Sequence, residues 1–141
     1  LMIVWAIASL VLITNKRIAV SVVSNLVLIA LLNNILKLIV RRARPTGFRL
    51  IEETGYSFPS GHSMVSMAFY GYLIYMIYKN VKNKKLRWTL ITCFSLLILI
   101  IGMSRIYLGV HYTSDVFAGF LFSIGYLVIY IKLTDPIVFQ K

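Results

Sequence analysis

The chain has 141 residues, 60% of them apolar, with a mean hydropathy of +0.85 and a formal net charge of +11. This composition excludes an ordinary soluble domain and favours an integral membrane protein. The basic residues lie at the ends of apolar segments rather than along one exposed face, so we expect no nucleic-acid partner.

Four apolar segments are long enough to cross a hydrocarbon layer of about 30 Å, which takes roughly 17 to 25 residues. They are Ile18 to Val40, Ser60 to Tyr78, Trp88 to Val110 and Thr113 to Leu133. A fifth segment, Leu1 to Thr14, is too short to span and lacks the features of a signal peptide, so we interpret it as the end of a longer helix. The sequence thus predicts an all-α integral membrane bundle with about five transmembrane segments. These would form a single membrane domain over residues 1–141, truncated at its N-terminus.

The basic residues indicate which side of the membrane each loop occupies. If the spans alternate, one side carries Lys16, Arg17, Lys79, Lys82, Lys84, Lys85, Arg87, Lys132 and Lys141. The positive-inside rule makes that side cytoplasmic. The loop from Arg41 to Pro59 and the turn around His111 then face the extracytoplasmic side. That loop is basic too, and we assign Arg41 and Arg42 mainly to anchoring at the membrane surface.

The first candidate site residues are polar groups around the second loop. An ionisable side chain at membrane depth costs about 2.5 to 3.5 kcal/mol, so Lys37, seven positions before Arg44, calls for a partner or a ligand. Ser60 is expected to cap a helix whose free amides, near Gly61, can bind a phosphate. A His62 kept protonated by that phosphate would suit a general acid. Taken singly, Lys37 could equally snorkel and His62 could be incidental.

The last cluster begins with Ser104 and Arg105. His111 and Asp115 are four apart, so a helix across them would put both on one face, where the carboxylate could hold the imidazole. That pairing suits a nucleophile or a base.

The cations of the three clusters favour phosphoryl transfer without a metal. Lys37, Arg44 and Arg105 can neutralise charge on the phosphoryl oxygens. Glu52 and Glu53 are adjacent in sequence and distant from other carboxylates, so we expect no metal and no cofactor.

Together the three clusters resemble the signature of the type 2 phosphatidic acid phosphatase superfamily. The matching residues are Lys37, Arg44 and Pro45, then Pro59, Ser60, Gly61 and His62, then Ser104, Arg105, His111 and Asp115. The resemblance implies that His111 attacks phosphorus and forms a phosphohistidine, that Asp115 orients it, and that His62 protonates the leaving group. It implies that phosphate is bound by Lys37, Arg44, Ser60, Gly61, Ser104 and Arg105. Membrane members of the family resemble a six-helix bundle with the site near the outer surface, so one helix and part of another would precede this chain.

We therefore predict a metal-independent membrane lipid phosphatase. Its partners would be the bilayer and a lipid phosphate or pyrophosphate: phosphatidic acid, phosphatidylglycerol phosphate or undecaprenyl pyrophosphate. Two other functions stay open, a vanadate-dependent haloperoxidase-like enzyme and a non-catalytic protein that binds or transports lipid phosphates. The oligomeric state stays open as well.

Overall fold

A computed structural model describes residues 16–138, and within this range the regular structure is entirely helical. The helices are α1 (Lys16–Val40), α2 (Gly61–Asn80), α3 (Lys84–Tyr107) and α4 (Thr113–Val138). The prediction of an all-α bundle is confirmed. The segment Leu1 to Thr14 lies outside the described residues.

Three of these helices, α1, α3 and α4, are long and apolar enough to cross a membrane. Helix α2 is not among them, although it contacts all three of the others. Its buried face carries the hydroxyls of Ser63, Ser66 and Tyr72, which lower its hydropathy. The expected count of about five transmembrane segments is therefore not supported within residues 16–138. Of these hydroxyls, that of Tyr72 bonds a neighbouring helix, donating to the Ser21 hydroxyl of α1 at 3.0 Å.

The core combines apolar side chains with hydrogen bonds between helices. Val22, Phe69, Leu127 and other buried side chains of α1, α2 and α4 form its largest apolar cluster. The Tyr130 hydroxyl donates to the Ser21 carbonyl oxygen at 2.5 Å across the α1–α4 interface. In a bilayer, where lipid tails compete for apolar contacts, such bonds and close packing hold helices together.

The loops 41–60 and 108–112 meet at one end of the bundle, because α1 and α3 end there while α2 and α4 begin there. The Leu50 amide donates to the Leu108 carbonyl at 3.1 Å. Gly109 has a φ of +72°, and a Cβ atom on it would lie 2.2 Å from the Phe48 carbonyl oxygen. Only glycine fits this approach of the two loops.

The first turns of α2 and α4 are in direct contact. Ser60 precedes α2, and its amide donates to the Asp115 carbonyl oxygen at 3.0 Å. One turn further along α4, a Cβ atom on Gly119 would lie 3.1 Å from both the Ser60 carbonyl oxygen and the Ser63 Cβ. The absence of a side chain at position 119 lets the two helix starts approach each other.

Candidate active site

His111 lies in the connection that precedes α4 and is only 3% exposed. Helix α4 begins at Thr113, as the sequence predicted, so no helix runs across His111 to put it on one face with Asp115. The turn nevertheless brings Nδ1 of His111 to 3.6 Å from Oδ2 of Asp115. The two groups therefore face each other across a helix start rather than along a helix.

Asp115 is fully buried and accepts hydrogen bonds from three donors. These are the Ser57 hydroxyl, the Tyr112 amide at 2.9 Å and the Arg42 guanidinium at 2.8 Å. The assignment of Arg42 to membrane anchoring is wrong, because this side chain forms an ion pair with the buried carboxylate. The sequence did not predict this role for Arg42, because Arg42 and Asp115 are 73 positions apart and share no local pattern.

Ser57 is a second residue that the sequence did not single out. It is fully buried, and its hydroxyl lies 3.5 Å from Nδ1 of His111 while it donates to Asp115. The hydroxyl thus occupies the space between carboxylate and imidazole. The only sequence feature that could have indicated a role for Ser57 is its position next to the cluster that begins at Pro59.

The other ring nitrogen of His111, Nε2, faces Arg44 at 3.3 Å. Arg44 donates to the carbonyl oxygens of Val110 at 3.0 Å, Thr54 at 3.1 Å and Gly55 at 3.1 Å, which fixes its guanidinium in place. A guanidinium can only donate, so Nε2 must be the acceptor and the ring proton belongs on Nδ1. The lone pair of Nε2 is therefore directed at the cationic side of the site.

Burial lowers the pKa of His111 to about 4, and the charges of Arg44 and Lys37 act in the same direction. The imidazole is consequently neutral at physiological pH. A neutral ring with a free Nε2 lone pair is the form that can act as a nucleophile.

His62 lies in the first turn of α2 and faces the same cavity as His111. This cavity has a volume of about 410 Å³ and is lined by Ala30, Asn33, Asn34, Lys37, Arg44, Glu53, Gly61, His62, Val65 and His111. The amides of Gly61 and His62, at the start of α2, have no partner among the described residues. Such amides can donate to an anion.

Ser60 lies beside the cavity rather than in its lining. It caps α2 as predicted, since its hydroxyl oxygen accepts from the Ser63 amide at 3.4 Å. The Ser60 amide donates to the Asp115 carbonyl oxygen. The amides left to face the cavity are therefore those of Gly61 and His62.

The remaining predicted phosphate ligands surround the cavity less directly. Lys37 Nζ donates to the Tyr56 carbonyl oxygen at 2.6 Å and lines the cavity. Arg105 extends from the last turn of α3, and its Nε donates to the Ser104 hydroxyl at 3.2 Å. The Ser104 hydroxyl in turn donates to the Ile101 carbonyl at 2.7 Å, so Ser104 positions the arginine.

Glu53 is the third residue that sequence reasoning missed. Its carboxylate lies 2.9 Å from Arg44 and 3.5 Å from Arg105, and Oε2 lies 3.8 Å from Nε2 of His111. The only sequence feature that could have indicated this role for Glu53 is its place in a loop that also contains arginines. Glu53 thus brings one anion to the point where the two arginines and His111 converge.

The arrangement offers a nucleophile and several hydrogen-bond donors to a phosphorylated molecule. A neutral imidazole lies at one side of the cavity and a second imidazole at the start of α2. Arginine, lysine and helix amides supply charge-assisted donors for equatorial oxygens. These are the parts that phosphoryl transfer to a nitrogen nucleophile requires.

Comparisons with known proteins identify a family and several relatives. A family model described as the PAP2 superfamily matches residues 18–137. Phosphatidylglycerophosphatase B of Bacillus subtilis is 38% identical over 105 residues, which cover 72% of this chain and 49% of that protein. An undecaprenyl-diphosphatase of Sulfolobus acidocaldarius is 30% identical over 131 residues, covering 87% of this chain and 59% of that protein.

The fold also matches a solved structure, the crystal structure of a transmembrane PAP2-type phosphatidylglycerolphosphate phosphatase from Bacillus subtilis. The TM-score is 0.77 at 29% identity, over 84% of this chain and 60% of that one. The present chain spans 49% and 59% of the lengths of the two relatives described above.

Proposed function

This chain belongs to the PAP2 superfamily, and from that premise we propose that it is a membrane-integral, metal-independent phosphatase of lipid phosphates or pyrophosphates. The single observation that carries the proposal is the position of His111. Its Nε2 lies 3.3 Å from Arg44, which can only donate, while Nδ1 faces Ser57 and Asp115. Only the tautomer with its proton on Nδ1 leaves a lone pair directed into the cavity.

In the proposed reaction, Nε2 of His111 attacks phosphorus and forms an N–P bond while the bond from phosphorus to the leaving oxygen breaks. His62 donates a proton to that oxygen, and the positive charge gained by the His111 ring is stabilised by Asp115. A water molecule then attacks the phosphohistidine, giving its proton to His62 and releasing inorganic phosphate. Each step uses groups that line the same cavity or support it.

The charge on the phosphoryl group is balanced by side chains in this mechanism. Arg44 is held in place by three backbone carbonyls, so its charge lies beside the proposed phosphoryl position without first being ordered. Lys37, Arg105 and the amides of Gly61 and His62 complete the set of donors. Preorganised donors of this kind are expected to supply most of the rate enhancement.

A lipid substrate is favoured by the walls of the cavity. Beyond the charged end they include Ala30 of α1 and Val65 of α2, and α1 is apolar enough to cross the bilayer. A phosphate bound near His111 therefore has its leaving group directed along membrane-facing helices. An acyl or isoprenoid tail can follow this path, as in phosphatidic acid, phosphatidylglycerol phosphate or undecaprenyl pyrophosphate.

The proposed topology places the site on the extracytoplasmic side of the cell membrane, in one membrane domain. The end of the bundle opposite the site carries Lys16, Arg17, Lys79, Lys82, Lys84, Lys85 and Arg87. We assign that end to the cytoplasm by the positive-inside rule. This topology requires α2 to cross as well, shielded from lipid by its three neighbours.

The test is phosphate release from a panel of lipid phosphates by the purified protein in detergent, with a chelator present. We expect turnover without added metal and a loss of at least about a thousandfold in His111→Ala. A requirement for magnesium, or substantial phosphate release by His111→Ala, would refute the mechanism.

A further inference from the structure

The Glu53 carboxylate lies where the groups expected to hold phosphate converge. It lies 2.9 Å from Arg44, 3.5 Å from Arg105 and 3.8 Å from Nε2 of His111. Its side chain is 22% exposed. A planar carboxylate and a phosphoryl group present similar oxygen pairs to a guanidinium. Glu53 thus makes the contacts that a substrate phosphate would make.

We propose that Glu53 is a built-in competitor for the phosphate position, one that must be displaced when substrate binds and that returns as inorganic phosphate leaves. The inference rests on the proposed phosphatase function, because it assigns Arg44, Arg105 and His111 to the reacting phosphate. Its role would be to limit product inhibition. Several fixed cations around a small cavity would otherwise hold a phosphate ion tightly after the reaction.

The geometry allows the side chain to leave without unfolding the loop. Arg44 also donates to the backbone carbonyls of Thr54 and Gly55, at 3.1 Å each, so the loop stays attached to the site through its backbone. Rotation of the Glu53 side chain towards solvent breaks only the ion pairs. The exposed part of the carboxylate already borders the cavity.

Two other roles for Glu53 make different predictions. If Glu53 only stabilised the loop, neutralising it would lower stability but leave the affinity for phosphate unchanged. If it helped to position Arg44 for binding, neutralising it would weaken phosphate binding. Loop stabilisation and positioning of Arg44 therefore predict no gain in phosphate affinity, whereas competition predicts a gain when the negative charge is removed.

The experiment uses Glu53→Gln, which keeps the size of the side chain and removes its charge. The matched control is Glu52→Gln, because Glu52 is exposed and has no ion pair within residues 16–138. Binding of radiolabelled inorganic phosphate to each purified protein in detergent is measured by equilibrium dialysis. Inhibition of lipid phosphate hydrolysis by inorganic phosphate gives a second, kinetic value.

We expect Glu53→Gln to bind phosphate about tenfold more tightly than the wild-type protein. The variant lacks the carboxylate that forms charge-assisted contacts in competition with phosphate. Its inhibition constant for phosphate should fall by the same factor, while Glu52→Gln should match the wild-type protein. Unchanged or weaker phosphate binding by Glu53→Gln would overturn the proposal, as would an equal gain in both variants. Dialysis needs no turnover, so an inactive wild-type protein would count against the proposed function and leave this comparison decisive.

Discussion

Lowering the pH should destabilise the folded protein through His111. Its pKa is lowered from 6.5 to about 4, first by burial and then by the charges of Arg44 and Lys37. Because the folded-state pKa is the lower one, the contribution of neutral His111 to stability is fully present above about pH 6.5. It is lost as the pH falls towards about 4, since the unfolded chain binds the proton first.

The size of this effect follows from the difference in pKa. A difference of about 2.5 corresponds to about 3.4 kcal/mol in full, of which about 2 kcal/mol is lost between pH 7.5 and pH 5. The assay is the free energy of unfolding in mixed micelles across this range, for the wild-type protein and for His111→Asn. Asparagine cannot titrate, yet it keeps a donor on the side of Ser57 and Asp115.

The wild-type protein should lose about 2 kcal/mol more than His111→Asn over that interval. Other titrating groups are present in both proteins, so their contributions cancel in the comparison. Parallel profiles for the two proteins would refute the reasoning, because they would mean that folding does not alter the protonation of His111.

Three further predictions concern the residues that surround the site. Ser57→Ala removes the hydroxyl that bonds Asp115. In steady-state assays of phosphate release it should lower kcat by about tenfold or more, with little change in KM. A kcat within about twofold of wild type would contradict a positioning role for Ser57. Gly109→Ala should lower the free energy of unfolding by about 2 kcal/mol or more, because Gly109 has a φ of +72°. The control Gly47→Ala, at a position with open space around it, should change the free energy of unfolding by less than about 0.5 kcal/mol. Equal losses of the two variants in thermal unfolding would contradict this prediction. Arg42→Gln leaves the buried Asp115 without its ion-pair partner and should lower the free energy of unfolding by about 1 to 3 kcal/mol. The loss is smaller than for a fully buried pair because the Arg42 side chain is 38% exposed. An unchanged free energy of unfolding in denaturant titration would show that the pair is not stabilising.

The helices and the residues of the three clusters could be predicted from sequence because both have local signals. Apolar runs bounded by charged residues predicted the four helices, with ends within five residues of those observed. Ser60 marked the start of α2, because a capping residue before an apolar run reflects the unpaired amides of a helix start. Such features depend on near neighbours in the chain.

The contacts made by the loop 41–60 could not be predicted in the same way. Arg42, Glu53 and Ser57 reach the site only because this loop folds back against residues 108–115, more than 50 positions away. Irregular backbone has no periodicity from which the direction of a side chain can be inferred. The contact between His111 and Asp115 likewise depends on the turn between them, since α4 begins two residues after the histidine.

The contact between Gly119 and the start of α2 has a consequence for the two histidines. His111 precedes α4 and His62 begins α2, so the gap between the proposed nucleophile and the proposed acid depends on how those two helices pack. A side chain added at position 119 would meet the Ser60 carbonyl and the Ser63 side chain at 3.1 Å, moving His62 away from His111. A larger residue at position 119, which is buried against α2, would therefore reshape the proposed site without changing any residue assigned to phosphate.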